Sequence, residues 1–204
     1  IKFYMLNLNK SYNSLAGKFL IASPSMNDPR FAKCIIYMVS DNIDGSMGII
    51  INKPAINISF DTILETVELN KNETLADINK PKVFYGGPVD LDKGFILHTN
   101  DYSTKEKYTE LDKNLVLSSN FSILKDIIEG KGPTSSLLAL GYAGWYSNQL
   151  VRELKQNSWL EAEMDTEILF SHNISEKWEL CLAKVGISKK NIKSSNFSSF
   201  SGSA

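Results

Sequence analysis

The chain has 204 residues, of which 43% are hydrophobic, 22% charged and 10% aromatic. These values are typical of a folded globular protein and exclude a disordered chain, a collagen-like repeat and a coiled coil. The 22 basic and 23 acidic side chains give a net charge of −1, so the protein as a whole has no field that attracts nucleic acid. At this length one core can bury about 70% of the unfolded chain's surface. We therefore expect one domain, of one or two lobes, that needs no metal or disulfide.

The two ends of the chain differ in composition from its centre. Residues 1–14 show only weak periodicity of apolar residues, which predicts an N-terminal arm. Residues 188–204 contain seven Ser and three Lys, which predicts a mobile tail. The predicted domain therefore covers residues 15–187.

The cysteines and the apolar segments indicate a cellular compartment. Cys34 and Cys181 belong to no CxxC or Cys/His array and are expected to be buried free thiols. No signal segment is visible, and no apolar run is long enough to span a membrane. These features predict a cytoplasmic protein without a membrane partner.

The first half of the domain predicts strands that are apolar on both faces. Residues 17–24 predict a strand, and two apolar runs at 32–39 and 47–51 flank Asp44 and Gly45. An Asp-Gly pair between such runs predicts a β-hairpin, because glycine adopts the backbone conformation that the turn requires. Strands without a polar face lie in the middle of a sheet, so we expect this hairpin to be central.

A helix and three short strands are predicted next. Phe60, Ile63, Leu64 and Val67 have helical spacing, with Ser59 as the N-cap. The strands are expected over 83–89, 94–98 and 114–117, with residues 90–93 as a turn between the first two.

The second half of the domain alternates helices and strands. The predicted elements are a helix over 121–128 that ends at Gly130, a strand over 137–143, a helix after Ser147, a strand over 167–170 and a helix capped by Ser175. The predicted fold class is α/β or α+β, a layered sandwich in which helices pack on one large mixed sheet.

The common catalytic and metal-binding motifs are missing from the sequence. The only histidines, His98 and His172, form no HxxH or HExxH pattern, and neither a GxSxG elbow nor a GxxxxGK[ST] loop is present. We therefore predict no metal, no cofactor and no assembled set of catalytic residues.

Two glycine-containing segments allow both a structural and a ligand-binding interpretation. Gly86-Gly87-Pro88 favours a bulge or a close backbone approach within the sheet. The segment from Gly141 to Gly144 lies between a strand and a helix start, where an anion could bind, but tight packing beneath Trp145 is the preferred explanation.

Five sequence blocks, taken in order, resemble the YqgE/AlgH family of bacterial proteins. They are GKFLIASPSMNDPRFAKCIIYM at 17–38, DGSMGIIINKP at 44–54, GGPV at 86–89, GFILH at 94–98 and LALGYAGW at 138–145, the last followed by Gln149, Leu150, Glu153, Asn157 and Trp159. The match runs from Gly17 to Gly186. Cys34 stands where the family usually has Ser or Thr, so a role for a hydroxyl group at that position is not carried over.

The resemblance implies a compact α/β fold with a large mixed sheet and a bacterial cytoplasmic setting. The family is often labelled a transcriptional regulator, but the resemblance brings no established reaction. The main functional hypothesis is a non-enzymatic regulatory or binding protein that contacts an unknown protein partner or small ligand through a patch of six residues. These residues are Asp28, Asn52, Lys53, Gly87, His98 and Trp145.

Two other functional hypotheses follow from the same residues and from the family label. One is an enzyme with His98 as acid or base and Asp28 orienting it, because a histidine titrates near neutral pH. The other is direct DNA binding, which we do not expect, because no helix-turn-helix pattern is present. An indirect effect on transcription through a protein partner agrees better with the charge of the chain.

Overall fold

The structure is a computed structural model and describes residues 13–66, 81–102, 108–112 and 114–188. The strands are β1 Lys18–Ala22, β2 Ile35–Asn42, β3 Gly45–Ile50, β4 Val83–Tyr85, β5 Val89–Thr99, β6 Tyr108–Glu110, β7 Leu115–Ser118, β8 Ser136–Tyr146 and β9 Trp159–Glu163. The helices are α1 Phe60–Thr66, α2 Ser122–Ile128, α3 Gln149–Lys155, α4 Thr166–Phe170 and α5 Lys177–Lys184. The predicted arm and tail lie outside the described residues, except for residues 13, 14 and 188.

The nine strands of the described ranges belong to one sheet. Its order is β6-β7-β5-β8-β3-β2-β1-β9, and β4 pairs with β8 beside this path. The β4–β8 pair is parallel and the other pairs are antiparallel, so the sheet is mixed, as predicted. The carbonyl of Lys53 accepts a hydrogen bond from Tyr85 N–H, so β4 also binds the segment that follows β3.

The hairpin of β2 and β3 is central in the sheet, which confirms the prediction from its apolar runs. Ile35 to Met38 and Ile49 to Ile51 are fully buried, because both faces of these strands are covered. Asn42 pairs with Gly45 across the turn. A Cβ on Gly45 would lie 2.6 Å from the carbonyl oxygen of Trp145, so glycine also permits the close approach of β8.

Helices cover both faces of the sheet and enclose three groups of apolar side chains. One face packs against α4 and α5, whose Leu169 and Trp178 belong to the largest group. The opposite face carries a group under α3, which includes Leu150. Next to it lies a group under α1 and α2, which includes Phe60 and Leu124. The layered α/β architecture is therefore confirmed.

The predicted start of the first helix also agrees with the structure. Ser59 Oγ accepts a hydrogen bond from Thr62 N–H, as expected of an N-cap. Val67, the last residue of the predicted apolar stripe, lies outside the described residues.

Residues 90–93 are not the turn of a hairpin. Val89 pairs with Tyr142 and Gly94 with Leu140, so both ends of this segment bind the same strand, β8. The four residues between them bulge out of β5, and within the bulge Lys93 pairs with Asp90 at 2.7 Å. The prediction of two separate strands was wrong because the bulge depends on the register of β5 against β8, which is not a local property.

The C-terminal region contains two further corrections. Residues 167–170, predicted as a strand, belong to α4, because the carboxylate of Asp165 accepts hydrogen bonds from the N–H groups of Glu167 and Ile168 and caps a helix. The last helix starts after Glu176, and the Ser175 hydroxyl donates to Asn173 instead of capping it. Strands β6 and β9 were not predicted at all.

The helices in the described part of the chain are short. None of them combines the length and the apolar character that a membrane crossing by a helix requires.

Tyr37 provides a test of the packing on β2. Its hydroxyl is buried and has no hydrogen-bond partner among the described residues. We expect Tyr37→Phe to raise the free energy of unfolding by about 1 kcal/mol, because the desolvated hydroxyl is removed. Urea unfolding monitored by circular dichroism measures the change.

Tyr102→Phe is the matched control for this substitution. The Tyr102 hydroxyl donates to the Asp126 carboxylate, so its removal should lower stability by about 1 kcal/mol. A clear loss of stability in Tyr37→Phe would show that its hydroxyl is satisfied.

Candidate functional site

Asp28 shapes the turn that joins β1 to β2. Its carboxylate accepts a hydrogen bond from Arg30 N–H at 2.9 Å and pairs with the Arg30 guanidinium at 2.7 Å. Its carbonyl accepts from the N–H groups of Phe31 and Ala32. The hydrogen bond from the Arg30 side chain holds the pKa of Asp28 below its usual value, although burial opposes the shift. Asp28 is therefore a negatively charged, turn-forming residue.

Asn52 fixes the end of the same turn. Its Oδ1 accepts from Ile35 N–H at 2.8 Å, and its Nδ2 donates to the Lys33 carbonyl at 2.9 Å. Lys33 has a φ of 55°, a left-handed conformation that is uncommon for a residue with a side chain. The two hydrogen bonds from Asn52 bracket this strained residue and hold it in place.

Lys53 fixes the beginning of the turn. Its Nζ donates to the carbonyl of Pro29 at 3.1 Å and to that of Arg30 at 2.7 Å. Two consecutive side chains after β3 thus bind the backbone of one surface segment at both ends. We call residues 28–33 the clamped turn.

Aromatic rings support the clamped turn from below. Phe31 packs edge-on against Trp159 with ring centroids 5.6 Å apart, and Trp159 packs in the same way against Trp145 at 5.9 Å. The Glu153 carboxylate accepts hydrogen bonds from both indoles, at 2.9 Å from Trp145 and 2.7 Å from Trp159. Trp145 is almost fully buried and acts as a support for the turn, not as a contact residue.

A cleft of about 450 Å³ adjoins the clamped turn and separates it from α5. Asn52, Lys53 and Lys33 line one side, and Trp178 and Glu179 lie on the other. The ammonium group of Lys33 lies 5.7 Å from the centroid of the Trp178 ring, a distance at which a cation is attracted to an aromatic face. The turn therefore presents cationic groups to solvent at a rigid surface.

Gly87 lies outside this region and has a packing role. Its φ is 153°, and a Cβ there would lie 2.1 Å from the backbone carbon of Tyr142. The segment after β4 crosses β8 at a distance that only glycine permits. The expectation of a close backbone approach is confirmed.

His98 is also separate from the clamped turn. It lies on β5, and β8 and β3 stand between that strand and β2. Its side chain is fully buried, with Nδ1 2.9 Å from the Thr99 carbonyl and Nε2 3.0 Å from Ser118 Oγ. Because a carbonyl can only accept, Nδ1 carries the proton and the Ser118 hydroxyl donates to Nε2. Burial lowers the pKa of His98.

The pairing of His98 with Asp28, which the enzyme hypothesis requires, is not formed. Asp28 binds Arg30, and both ring nitrogens of His98 are engaged elsewhere. The two thiols are also held in the neutral form, because burial raises the pKa of Cys34 to about 12 and that of Cys181 to about 11. Within the described ranges no three His, Cys, Asp or Glu side chains converge as a metal site would require.

The structure thus brings together four of the six candidate residues. Asp28, Asn52 and Lys53 form the clamped turn, and Trp145 supports it. The sequence analysis missed Arg30 and Lys33, the cations that the turn displays. The left-handed backbone conformation of Lys33 depends on Asn52, which lies 19 residues further along the chain, so no local sequence pattern predicts it.

A mixed-sheet α/β protein with a rigid surface turn is the class that this fold and this site define. The sequence matches the model of the AlgH-like family (DUF179) over residues 19–190. The chain belongs to this family, which confirms the resemblance found in the five sequence blocks.

Relatives of similar length support the assignment. The chain is 40% identical over 179 residues to a UPF0301 protein of Bradyrhizobium, with 85% of this chain and 82% of the relative covered. It is 39% identical over 175 residues to a UPF0301 protein of Jannaschia, with 85% and 90% covered. These names state no reaction.

Two solved structures share the fold. The solution structure of the AlgH protein from Pseudomonas aeruginosa is 35% identical, with a TM-score of 0.70, and the match covers 95% of this chain and 98% of that one. A crystal structure from Corynebacterium diphtheriae is 17% identical, with a TM-score of 0.61 and coverage of 80% and 83%. The second similarity concerns the fold alone.

Asn52 provides a test of the clamp. We expect Asn52→Ala to lower the free energy of unfolding by about 1–3 kcal/mol, because two hydrogen bonds with the turn are lost. Hydrogen exchange of the Ile35 amide should accelerate at the same time. Asn52→Asp keeps an acceptor for that amide and should have a smaller effect on its exchange. Equal exchange rates in Asn52→Ala and the wild type would contradict the clamp.

His98 predicts a pH dependence of stability. Its pKa is lower in the folded state than in the unfolded chain, so the unfolded state binds the proton first as the pH falls. Stability should therefore decrease below about pH 6.5, by at most about 1.4 kcal/mol per pH unit from this residue.

Urea midpoints at pH 7.5, 6.5 and 5.5 measure this effect. The His98→Gln variant should lose less stability between the first and last pH than the wild type. His172→Gln, a change at an exposed histidine, is the control and should follow the wild type. A larger loss of stability in His98→Gln than in the wild type over this pH range would contradict the lowered pKa of His98.

Proposed function

We propose that this chain is a non-enzymatic, cytoplasmic bacterial protein that binds an acidic protein partner through the clamped turn and affects transcription indirectly through that partner. The observation that carries the proposal is the clamp itself. Asn52 and Lys53 use their side chains to fix the backbone of an exposed turn, and rigid surface loops are typical of recognition sites.

The chemistry of the turn supports an acidic partner. Arg30 is well exposed, with 60% of its side chain accessible, and its guanidinium has donors beyond those used by Asp28. Lys33 is also exposed, and among the described residues no carboxylate forms an ion pair with it. Fixed cations lose little conformational freedom on binding, which favours recognition of carboxylates.

Several features support a role without catalysis by the residues that the sequence suggested. His98 is enclosed, and both of its ring nitrogens form hydrogen bonds. Asp28 is committed to Arg30. The enzyme hypothesis therefore has no supporting geometry at these positions.

Direct DNA binding has less support than a protein partner. The net charge of −1 gives no general attraction to phosphates, and binding that depended on a few cations would weaken sharply with salt. A gel shift with competitor DNA at near-physiological salt tests this point. Sequence-specific binding under those conditions would contradict an indirect role.

The partner hypothesis is tested by quantitative affinity capture from lysate of a bacterium that carries this protein. The test variant combines Arg30→Gln with Lys33→Asn, because asparagine tolerates the left-handed conformation at position 33. The control variant combines Lys93→Gln with Lys125→Gln, which removes two exposed cations elsewhere.

We expect the wild type and the control variant to capture one or more acidic proteins in equal amounts. The test variant should capture about tenfold less of these proteins, since two charge-assisted contacts are lost. Asn52→Ala should give an intermediate reduction, because it loosens the turn without removing a cation. Identical capture by the wild type and the test variant would overturn the assignment of this surface.

A further inference from the structure

A second cavity, of about 480 Å³, lies away from the clamped turn beside α4, α5 and the start of β8. Its volume is within the range of small-molecule sites. Its walls combine aromatic and aliphatic side chains with lysine, histidine and hydroxyl groups, and no Asp or Glu lines it.

Lys177 is the unusual residue of this cavity. It is the first residue of α5 and only 1% exposed, yet it belongs to the cavity wall. Its Nζ donates to the Leu169 carbonyl at 2.7 Å and to the Ile51 carbonyl at 3.3 Å, and it lies 5.7 Å from the centroid of the Phe84 ring. These partners are dipoles and a π-face, and none carries a negative charge.

A buried cation without a counter-ion is unfavourable, and a second cation is close to this one. Burial lowers the pKa of Lys177 to about 8, and the positive charge of Lys82 also acts to lower it. Lys82 lines the same cavity, and within the described ranges it forms one hydrogen bond, a long one of 3.5 Å to the His172 carbonyl. Among the described residues no carboxylate pairs with either lysine.

Three residues with hydroxyl side chains also line the cavity. Thr134, Ser135 and Ser136 are consecutive residues at the start of β8. The Thr134 hydroxyl donates to Asp101 and is thus committed. The Ser135 hydroxyl forms no hydrogen bond to the described part of the protein, so it can donate to a ligand. Ser136 shares the face of Leu138, which is opposite to that of Leu137, and contributes backbone to the cavity wall.

We propose that this cavity binds a small organic anion, with its carboxylate or phosphate group toward Lys82, Lys177 and the Ser135 hydroxyl. The ammonium groups supply the positive charge, and hydrogen bonds to an ionised acceptor are the stronger kind. Phe84, Phe170 and Leu137 form an apolar wall that fits a ring or a short aliphatic body. This site is separate from the acidic-partner surface and is expected to function independently of it.

Isothermal titration of the full chain at pH 7 tests the proposal with four probes. Phenyl phosphate carries a phosphate group and phenylacetate a carboxylate group, each attached to a phenyl ring. Inorganic phosphate lacks the ring, and benzyl alcohol has the ring but no charge. We expect both aromatic anions to bind at millimolar or better affinity, and benzyl alcohol and inorganic phosphate to bind at least about tenfold more weakly. The ratio of the first two affinities decides between phosphate and carboxylate.

Two lysine variants locate the binding. Lys82→Met and Lys177→Met retain the aliphatic stem and remove the charge, and each should weaken phenyl phosphate or phenylacetate about tenfold. Lys82 is exposed, so Lys82→Met is decisive if Lys177→Met does not fold. Lys93→Met, at an exposed lysine outside the cavity, is the matched control and should bind as the wild type does.

NMR chemical shifts give an independent readout of the location. The amides of Ser135, Ser136 and Lys177 should move on addition of the aromatic anions, whereas that of Lys93 should not. The proposal is overturned if no anion binds, if benzyl alcohol binds equally well, or if Lys82→Met retains wild-type affinity. None of these results affects the partner test on the clamped turn, and loss of capture by the turn variant leaves anion binding intact.

Discussion

The burial of the β2–β3 hairpin on both faces is the constraint on which the rest of the structure depends. Fully enclosed strands cannot shift register without exposing apolar side chains, so their ends are held in fixed positions. The residues that directly follow β3 are therefore also held in fixed positions. Asn52 and Lys53 can therefore hold a surface turn in a strained conformation, because the clamp itself is anchored in the core.

Three consecutive residues connect the hairpin to both proposed sites. The carbonyl of Ile51 accepts a hydrogen bond from Lys177, which lines the anion cavity, while the next two side chains bind the clamped turn. One segment of three residues thus contacts both proposed sites, which lie on either side of it. A polar contact at each site also uses backbone groups that would otherwise be unsatisfied at the end of a buried strand.

The parts of the fold that could be predicted from the sequence are those with local signals. The Asp44-Gly45 hairpin and the Ser59 cap depend on neighbouring residues and were correct. Residues 167–170 were predicted as a strand because a run of four mostly apolar residues fits both helical and strand periodicity. The Asp165 carboxylate caps a helix at this point, so the segment is helical. The bulge in β5 depends on pairing with β8, which no local pattern encodes.

The candidate site was predictable to a similar extent and for a similar reason. Asp28, Asn52 and Lys53 were chosen because they are polar residues near strand ends, and the structure brings these three together at the clamped turn. His98 is also a polar residue near the end of a predicted strand, but two strands separate its strand, β5, from β2. Strand order depends on the whole chain. So do the left-handed conformation of Lys33 and the charged cavity around Lys177, whose walls come from three distant parts of the chain, residues 81–84, 127–137 and 169–177.

The pairing of β1 with β9 has a consequence for biosynthesis. Phe19 to Ala22 are fully buried in the finished protein, and Trp159–Glu163 provide the outer neighbour of that strand. A nascent chain therefore carries an open, apolar β-edge for as long as its last strand is still within the ribosome. Such an edge is a template for unwanted association, so the growing polypeptide is most vulnerable until residues 159–163 have emerged and paired with β1.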